Sequence, residues 1–201
     1  MPSRMPRPLY KYVSLSWLTH LSPYEGILRF VVAMLAANYF WKFTVLGDEN
    51  GLSPVTWFGL DLTWFFNVLS DHIASIVYAI VHGLGANVVL LNGNRLFFPD
   101  SAYSIAIVWG CTPVKQAFIW LVIMLAARGR WLHKLWYIPV GWIFAYLFNI
   151  FRIASVALLT MHHPEWFHLL HGFLFKYLFY AGFFGLWLIY DLKIAQPLNT
   201  K

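Results

Sequence analysis

Between positions 135 and 159 the chain runs for twenty-five residues with a single charged side chain, Arg152. A helix needs about 20 predominantly apolar residues to cross a bilayer, and such a run has few other destinations. Three further stretches qualify: residues 27–46, residues 114–127 with their flanks, and residues 171–190. The composition agrees. The 201 residues are 60% hydrophobic and 11% charged, against about 25% charged in a soluble domain. A water-soluble globule of this size has too little interior for that much apolar surface. The same figures exclude a disordered chain and a coiled coil, and one cysteine, Cys111, excludes a disulfide-stapled domain. The chain reads as an α-helical polytopic membrane protein, residues 1–201 forming one membrane domain.

The formal charge is +6. The basic residues sit in short clusters beside apolar stretches, which is how topology signals are arranged rather than nucleic-acid surfaces. Membrane lipids are therefore expected partners and nucleic acid is not. Arg4, Arg7 and Lys11 precede the first span. Arg128, Arg130 and Lys134 separate the second and third, and Lys193 and Lys201 follow the last. Six of the eight acids, Asp48, Glu49, Asp61, Asp71, Asp100 and Glu165, fall in the other segments. Four spans with both termini on the cytoplasmic side satisfy this bias. The resulting segments are a cytoplasmic tail (1–26), the first span (27–46), an extracytoplasmic stretch (52–110), a three-span core (111–191) and a cytoplasmic tail (192–201). The first ten residues hold Arg4, Arg7 and three prolines without an apolar core, unlike a cleavable signal peptide.

Residues 61–84 have the length of a fifth span. Thr63, Asn67, Ser70, Asp71, Ala74, Ser75, Tyr78 and His82 recur at helical spacing, and Trp64, Phe65, Val68, Leu69, Ile73, Ile76, Val77 and Ile80 take the other side. An amphipathic helix lying on the membrane, or packed on its own domain, fits that stripe. A fifth span would also put Cys111 and the Arg130 loop on the wrong sides. Beyond it, residues 87–91 and 95–98 flank the turn sequence Asn92-Gly93-Asn94, and residues 103–109 are rich in β-branched and aromatic side chains. A small extracytoplasmic β element is expected there, leading directly to Cys111.

Cys111 precedes Thr112, a good helix N-cap, and Pro113, which suits a first helical position. A thiol at a helix N-terminus meets free N–H groups and the positive end of the helix dipole, which favour the thiolate and could stabilise an oxyanion. A lone cysteine is more often a small buried hydrophobe, and position alone leaves both open. Arg152 lies inside the third span near its outer end, and an intramembrane arginine must be paired, face a wet cavity or snorkel. Asn149, three residues earlier, shares its face. His162, His163, His168 and His171 follow the third span, and a histidine beside a cysteine can activate it. Adjacent histidines at 162 and 163 make a poor chelate, so no metal or cofactor is expected; an interfacial loop would also suit these residues. Lys115 and Gln116 could line a cavity with Cys111. Arg29, Lys42 and Lys176 are expected to snorkel.

Three blocks in chain order, Gly110-Cys111-Thr112-Pro113-Val114-Lys115-Gln116, Asn149-Ile150-Phe151-Arg152-Ile153 and the run from His171 to Tyr180, resemble the exosortase/archaeosortase family, in its short bacterial form. The resemblance covers roughly residues 61–190. It implies a membrane cysteine protease-transpeptidase with Cys111 as nucleophile, Arg152 as the orienting or oxyanion-stabilising cation and His171 as base. The family often has Ser-Gly after the cysteine and an acid after the histidine. Here they are Thr112-Pro113 and Gly172, so His168 remains an alternative base. The implied substrates are exported proteins ending in a short motif, a transmembrane helix and a basic tail. The acceptor would be a lipid, a surface glycan or water. The implied location is the bacterial cytoplasmic membrane, with the site on the extracytoplasmic side. The rival reading is a non-enzymatic membrane subunit or small transporter, with Arg152 and the histidines lining a polar path.

Overall fold

The computed structural model describes residues 24–48 and 53–195. Arg4, Arg7, Lys11, Glu49 and Lys201, with the outer parts of both tails, lie outside the described residues. Five helices carry the fold: α1 (Glu25–Thr44), α2 (Thr63–Gly83), α3 (Val114–Ala126), α4 (Trp131–Thr160) and α5 (Phe175–Ile189). A π-helix, His168–Leu174, leads into α5, and a second π-helical turn, Tyr190–Ala195, follows it.

Contacts between helix ends fix the directions. At one end the Arg128 guanidinium pairs with the Glu25 carboxylate, and the Tyr190 hydroxyl donates to the Arg128 carbonyl at 3.0 Å. The start of α1, the α3–α4 connection and the end of α5 therefore meet. At the other end the Trp109 indole N–H donates to the Asp48 carbonyl at 2.7 Å, and Trp41, Val45, Val55 and Phe66 cluster beneath it. So α1 and α4 run toward the Cys111 end, while α3 and α5 run back. Between the ends, Trp120, Met124, Tyr137 and Phe183 close an aromatic-rich core. Close approach is possible because α4 has Gly141 where any Cβ would overlap the Trp120 indole.

Four segments are long and apolar enough to cross a membrane by length and composition: α1, α2, α4 and residues 164–195. The sequence reading counts 114–127 as a span and 61–84 as a surface helix, so this criterion exchanges the two. With 13 residues, α3 is about 20 Å long at 1.5 Å per residue. Packing supplies a second view. The short α3 still reaches from the Cys111 end to the Arg128 end, whereas α2 packs on α4, on the turn before Cys111 and on a sheet at that same end.

That sheet is the expected β element. Strands β4 (Val89–Leu91), β5 (Arg95–Phe98) and β6 (Tyr103–Ala106) form an antiparallel meander. Asn92 and Gly93 take φ of 51° and 81°, the left-handed pair that tight hairpins favour and that Asn-Gly supplies. A Cβ on Gly93 would come within 3.1 Å of the Asp71 carboxylate, so the turn rests on α2. A second meander, β1 (Val45–Leu46), β2 (Thr56–Trp57) and β3 (Leu60–Asp61), was not expected. Two-residue strands are too short to leave an alternation in the sequence.

The buried stripe of α2 also differs from expectation. It comprises Phe66, Ser70, Ile73, Ala74, Val77 and Val81, while Trp64, Phe65, Val68 and Ile80 are exposed. Ser70 and Ala74 belong to the stripe read as polar. They are small, and small side chains let a helix approach its neighbour closely. That neighbour is the outer half of α4, through Ile150, Ile153, Ala154 and Ala157.

Candidate active site

Cys111 closes a 3₁₀ turn, Trp109–Cys111, that joins β6 to α3. Its N–H donates to the Val108 carbonyl at 2.8 Å, and its thiol is free and half-buried. Thr112 does not cap α3 as the sequence suggests. Its hydroxyl donates back to the Trp109 carbonyl at 2.7 Å, and Pro113 takes the cap position. The reason is local: the 3₁₀ turn offers Thr112 a carbonyl three residues back, and Pro113 suits the boundary it occupies. The consequence is chemical. The first turn of α3 has no side-chain cap, so its N–H groups remain available beside the thiol.

Asn149, on α4, is 3% exposed and donates through Nδ2 to the Cys111 carbonyl at 2.7 Å. This bond ties the Cys111 turn to α4. Arg152 follows on the same face, one helical turn along. Its Nε and Nη2 are buried and meet no acceptor among the described residues. Buried donors on a cation are expensive to leave unpaired, so these nitrogens call for an acceptor from outside the chain. Cys111 lies within electrostatic reach of this guanidinium.

His171 sits at the centre of the π-helix. Its ring stacks on Phe167, with centroids 5.1 Å apart and planes 7° from parallel, and it too lies within electrostatic reach of Arg152. π-helical turns are rare and concentrate at functional sites. Nothing in a single sequence announces one. His168 is exposed and tilts against Phe173. His163 stacks on Trp166, with Nδ1 3.1 Å from Glu165 Oε1, and His162 is exposed.

A cavity of about 190 Å³ brings several of these groups together; Cys111 itself does not line it, but its neighbour Gly110 does. Gly110, Asn149, Arg152 and His171 line it, as do Lys115 and Gln116. His168 does not. Lys176, expected to snorkel away, is exposed but also lines the cavity. Phe148, Phe175 and Phe179 form an apolar wall that sequence reasoning did not single out. The spacing of His171, Phe175 and Phe179 at four-residue intervals was the available signal. Arg29 pairs with Glu25 at 2.6 Å, at the far end of the molecule. Among the described residues, no three or more His, Cys, Asp or Glu side chains gather as a metal site requires.

An unpaired guanidinium and an imidazole line one cavity, and the half-buried thiol is on the residue next to its Gly110 wall; groups of these kinds can attack a carbonyl, hold the resulting oxyanion and move a proton. No curated protein and no solved structure matches the chain. The family model described as Transmembrane exosortase (Exosortase_EpsH) matches residues 52–188, more than half of the chain, including α2, the meander beside it, Cys111, Arg152 and His171. This integral membrane protein belongs to the transmembrane exosortase family.

Proposed function

We propose that the protein is a cysteine peptidase-transpeptidase that cleaves the C-terminal sorting signal of exported proteins. One observation carries the reading: Gly110 beside the thiol, Asn149, Arg152 and His171 line a single cavity. The Cys111 thiolate attacks the scissile carbonyl carbon. The first-turn N–H groups of α3 and the Arg152 guanidinium hold the oxyanion. His171 gives its proton to the departing amine as the C–N bond breaks, leaving a thioester on Cys111. An acceptor amine, hydroxyl or water then attacks the thioester carbon, its proton passes to His171, and the thiolate leaves. The substrates are proteins ending in a short motif, a transmembrane helix and a basic tail.

The site belongs on the extracytoplasmic face of the bacterial cytoplasmic membrane. Arg128, Arg130 and Lys134 mark the inner end of α4 by the positive-inside bias. Arg152 stands about 31 Å further along the helix axis, near the opposite face of a hydrocarbon core about 30 Å thick. The sheet at this end has open edges, which hydrocarbon does not tolerate and water does.

The single cysteine makes a direct test. A membrane-impermeant thiol reagent applied to intact cells labels Cys111 rapidly, and His171→Ala slows the labelling. Labelling only after permeabilisation overturns the sidedness. Co-expression with a tailed substrate supplies the chemical test. Wild type yields the shortened product and a hydroxylamine-sensitive adduct on Cys111; Cys111→Ala yields neither. Cleavage that survives Cys111→Ala overturns the reading.

A further inference from the structure

The cavity carries more positive charge than acyl transfer needs. Lys115, from the first turn of α3, and Lys176, from the start of α5, line it together with Arg152, and no carboxylate does. Lys115 lies within electrostatic reach of both Lys176 and Lys42. Like charges gathered around one cavity repel one another, and three different elements bring these together, Lys115 and Arg152 partly buried and Lys176 exposed. The Arg152 Nε and Nη2 donors are buried without a partner among the described residues, as is one acceptor, Gln116 Oε1. Two guanidinium donors thus stand unsatisfied at the wall of a cavity that two ammonium groups also line.

We propose that Lys115, Arg152 and Lys176 form a binding site for a phosphate ester. A carboxylate would neutralise one of the three cations. A phosphate group presents several oxygens, enough for a planar guanidinium fork on one side and two ammonium groups on the other. Two sources share this chemistry, a lipid headgroup and a free phosphate. A neighbouring apolar surface favours the lipid. On the π-helix His168–Leu174 and the start of α5, Leu169, Phe173, Leu174, Tyr177 and Leu178 line an open apolar groove of about 440 Å³, a place for an acyl chain. The site goes beyond the peptidase reading and stands or falls by binding alone.

The full chain, purified in a maltoside detergent, is titrated with inorganic phosphate and, separately, with phosphatidylglycerol in mixed micelles. Native mass spectrometry and the thermal midpoint report binding. Wild type binds at least one of the two and gains thermal stability. In the double variant Lys115→Gln, Lys176→Gln the apparent affinity falls about tenfold or more, the size expected for losing charge-assisted hydrogen bonds. The double variant Lys115→Arg, Lys176→Arg retains binding, which separates lost charge from lost fold. Binding of inorganic phosphate alone identifies a soluble ligand, and binding of phosphatidylglycerol alone identifies a headgroup; either supports the site. No binding in wild type overturns it, as does equal binding in the glutamine variant or tighter binding of acetate than of phosphate. Cys111→Ala retains binding. If cleavage is never found but phosphate binds, the peptidase reading fails and this site stands.

Discussion

Asn149 holds the turn of Cys111, the proposed nucleophile, through one hydrogen bond to its carbonyl, and its removal has a measurable signature. Asn149→Ala leaves that carbonyl without its partner, at a cost of about 1–3 kcal/mol for a buried group. The expected outcome is a lower unfolding midpoint together with a kcat that falls more than KM rises, since the displaced group is the reacting one. In the proposed mechanism Arg152 acts on the oxyanion itself. Arg152→Ala is expected to lower kcat by roughly 10²–10³, the range for losing an oxyanion donor. Arg152→Lys restores little of it, because an ammonium lacks the fork. An Arg152→Lys enzyme with wild-type kcat would reduce the role to simple charge. Cys111, Arg152 and Asn149 were legible in the sequence for a plain reason: polar groups inside apolar runs stand out, and three-residue spacing puts two of them on one face. Thr112 was misread because the sequence does not distinguish a helix cap from the end of a 3₁₀ turn. That His171 lines the cavity and His168 does not follows the π-helix, whose extra residue per turn shifts which side chains face it.

The helices are held together by large aromatic rings set against glycines. Trp120 is 0% exposed, and a Cβ at Gly141 would occupy its place. Gly141→Ala is therefore expected to destabilise the protein by about 1–3 kcal/mol, the usual cost of overpacking. Gly182, whose Cβ would overlap Phe144, behaves alike. Gly185 has open space around it, and Gly185→Ala supplies the control. Thermal unfolding of the three variants checks the ranking; equal midpoints would show that the packing yields freely. At this scale the long helices and the meander β4–β6 were legible, because periodicity and the Asn-Gly turn are local signals. The stripe of α2 was legible only in outline. Ser70 and Ala74 face inward because of what α4 presents, and a partner's surface is absent from a helix's own sequence.

For the whole molecule, the distinctive arrangement is a helix and a sheet gathered at the end where Cys111 lies. Sidedness can be read by moving the one thiol. In a Cys111→Ser background, Asn94→Cys is expected to react with an impermeant reagent on intact cells, and Arg130→Cys only after permeabilisation. Reaction of both from outside, or of neither, would break the proposed topology. Charge bias supplies the proposed sidedness from sequence because it depends on counting. The relative crossing of α2 and α3 was harder. Length favours one and end-to-end packing the other, and length is what a sequence displays.

The bond from Asn149 to the Cys111 carbonyl has a mechanical consequence. It fastens Cys111 to α4, which also carries Arg152, so these two groups travel as one body. His171 rides on the π-helix that leads into α5, and α5 meets α4 through edge-on and tilted rings such as Phe148 with Phe179 and Phe144 with Phe183. Ring contacts of this kind slide more readily than a buried hydrogen bond stretches. A bilayer that thickens or thins makes its helices tilt to match, and two helices of unequal length tilt by unequal amounts. Acyl chain length would then bear less on how Cys111 sits against Arg152 than on how His171 sits against both.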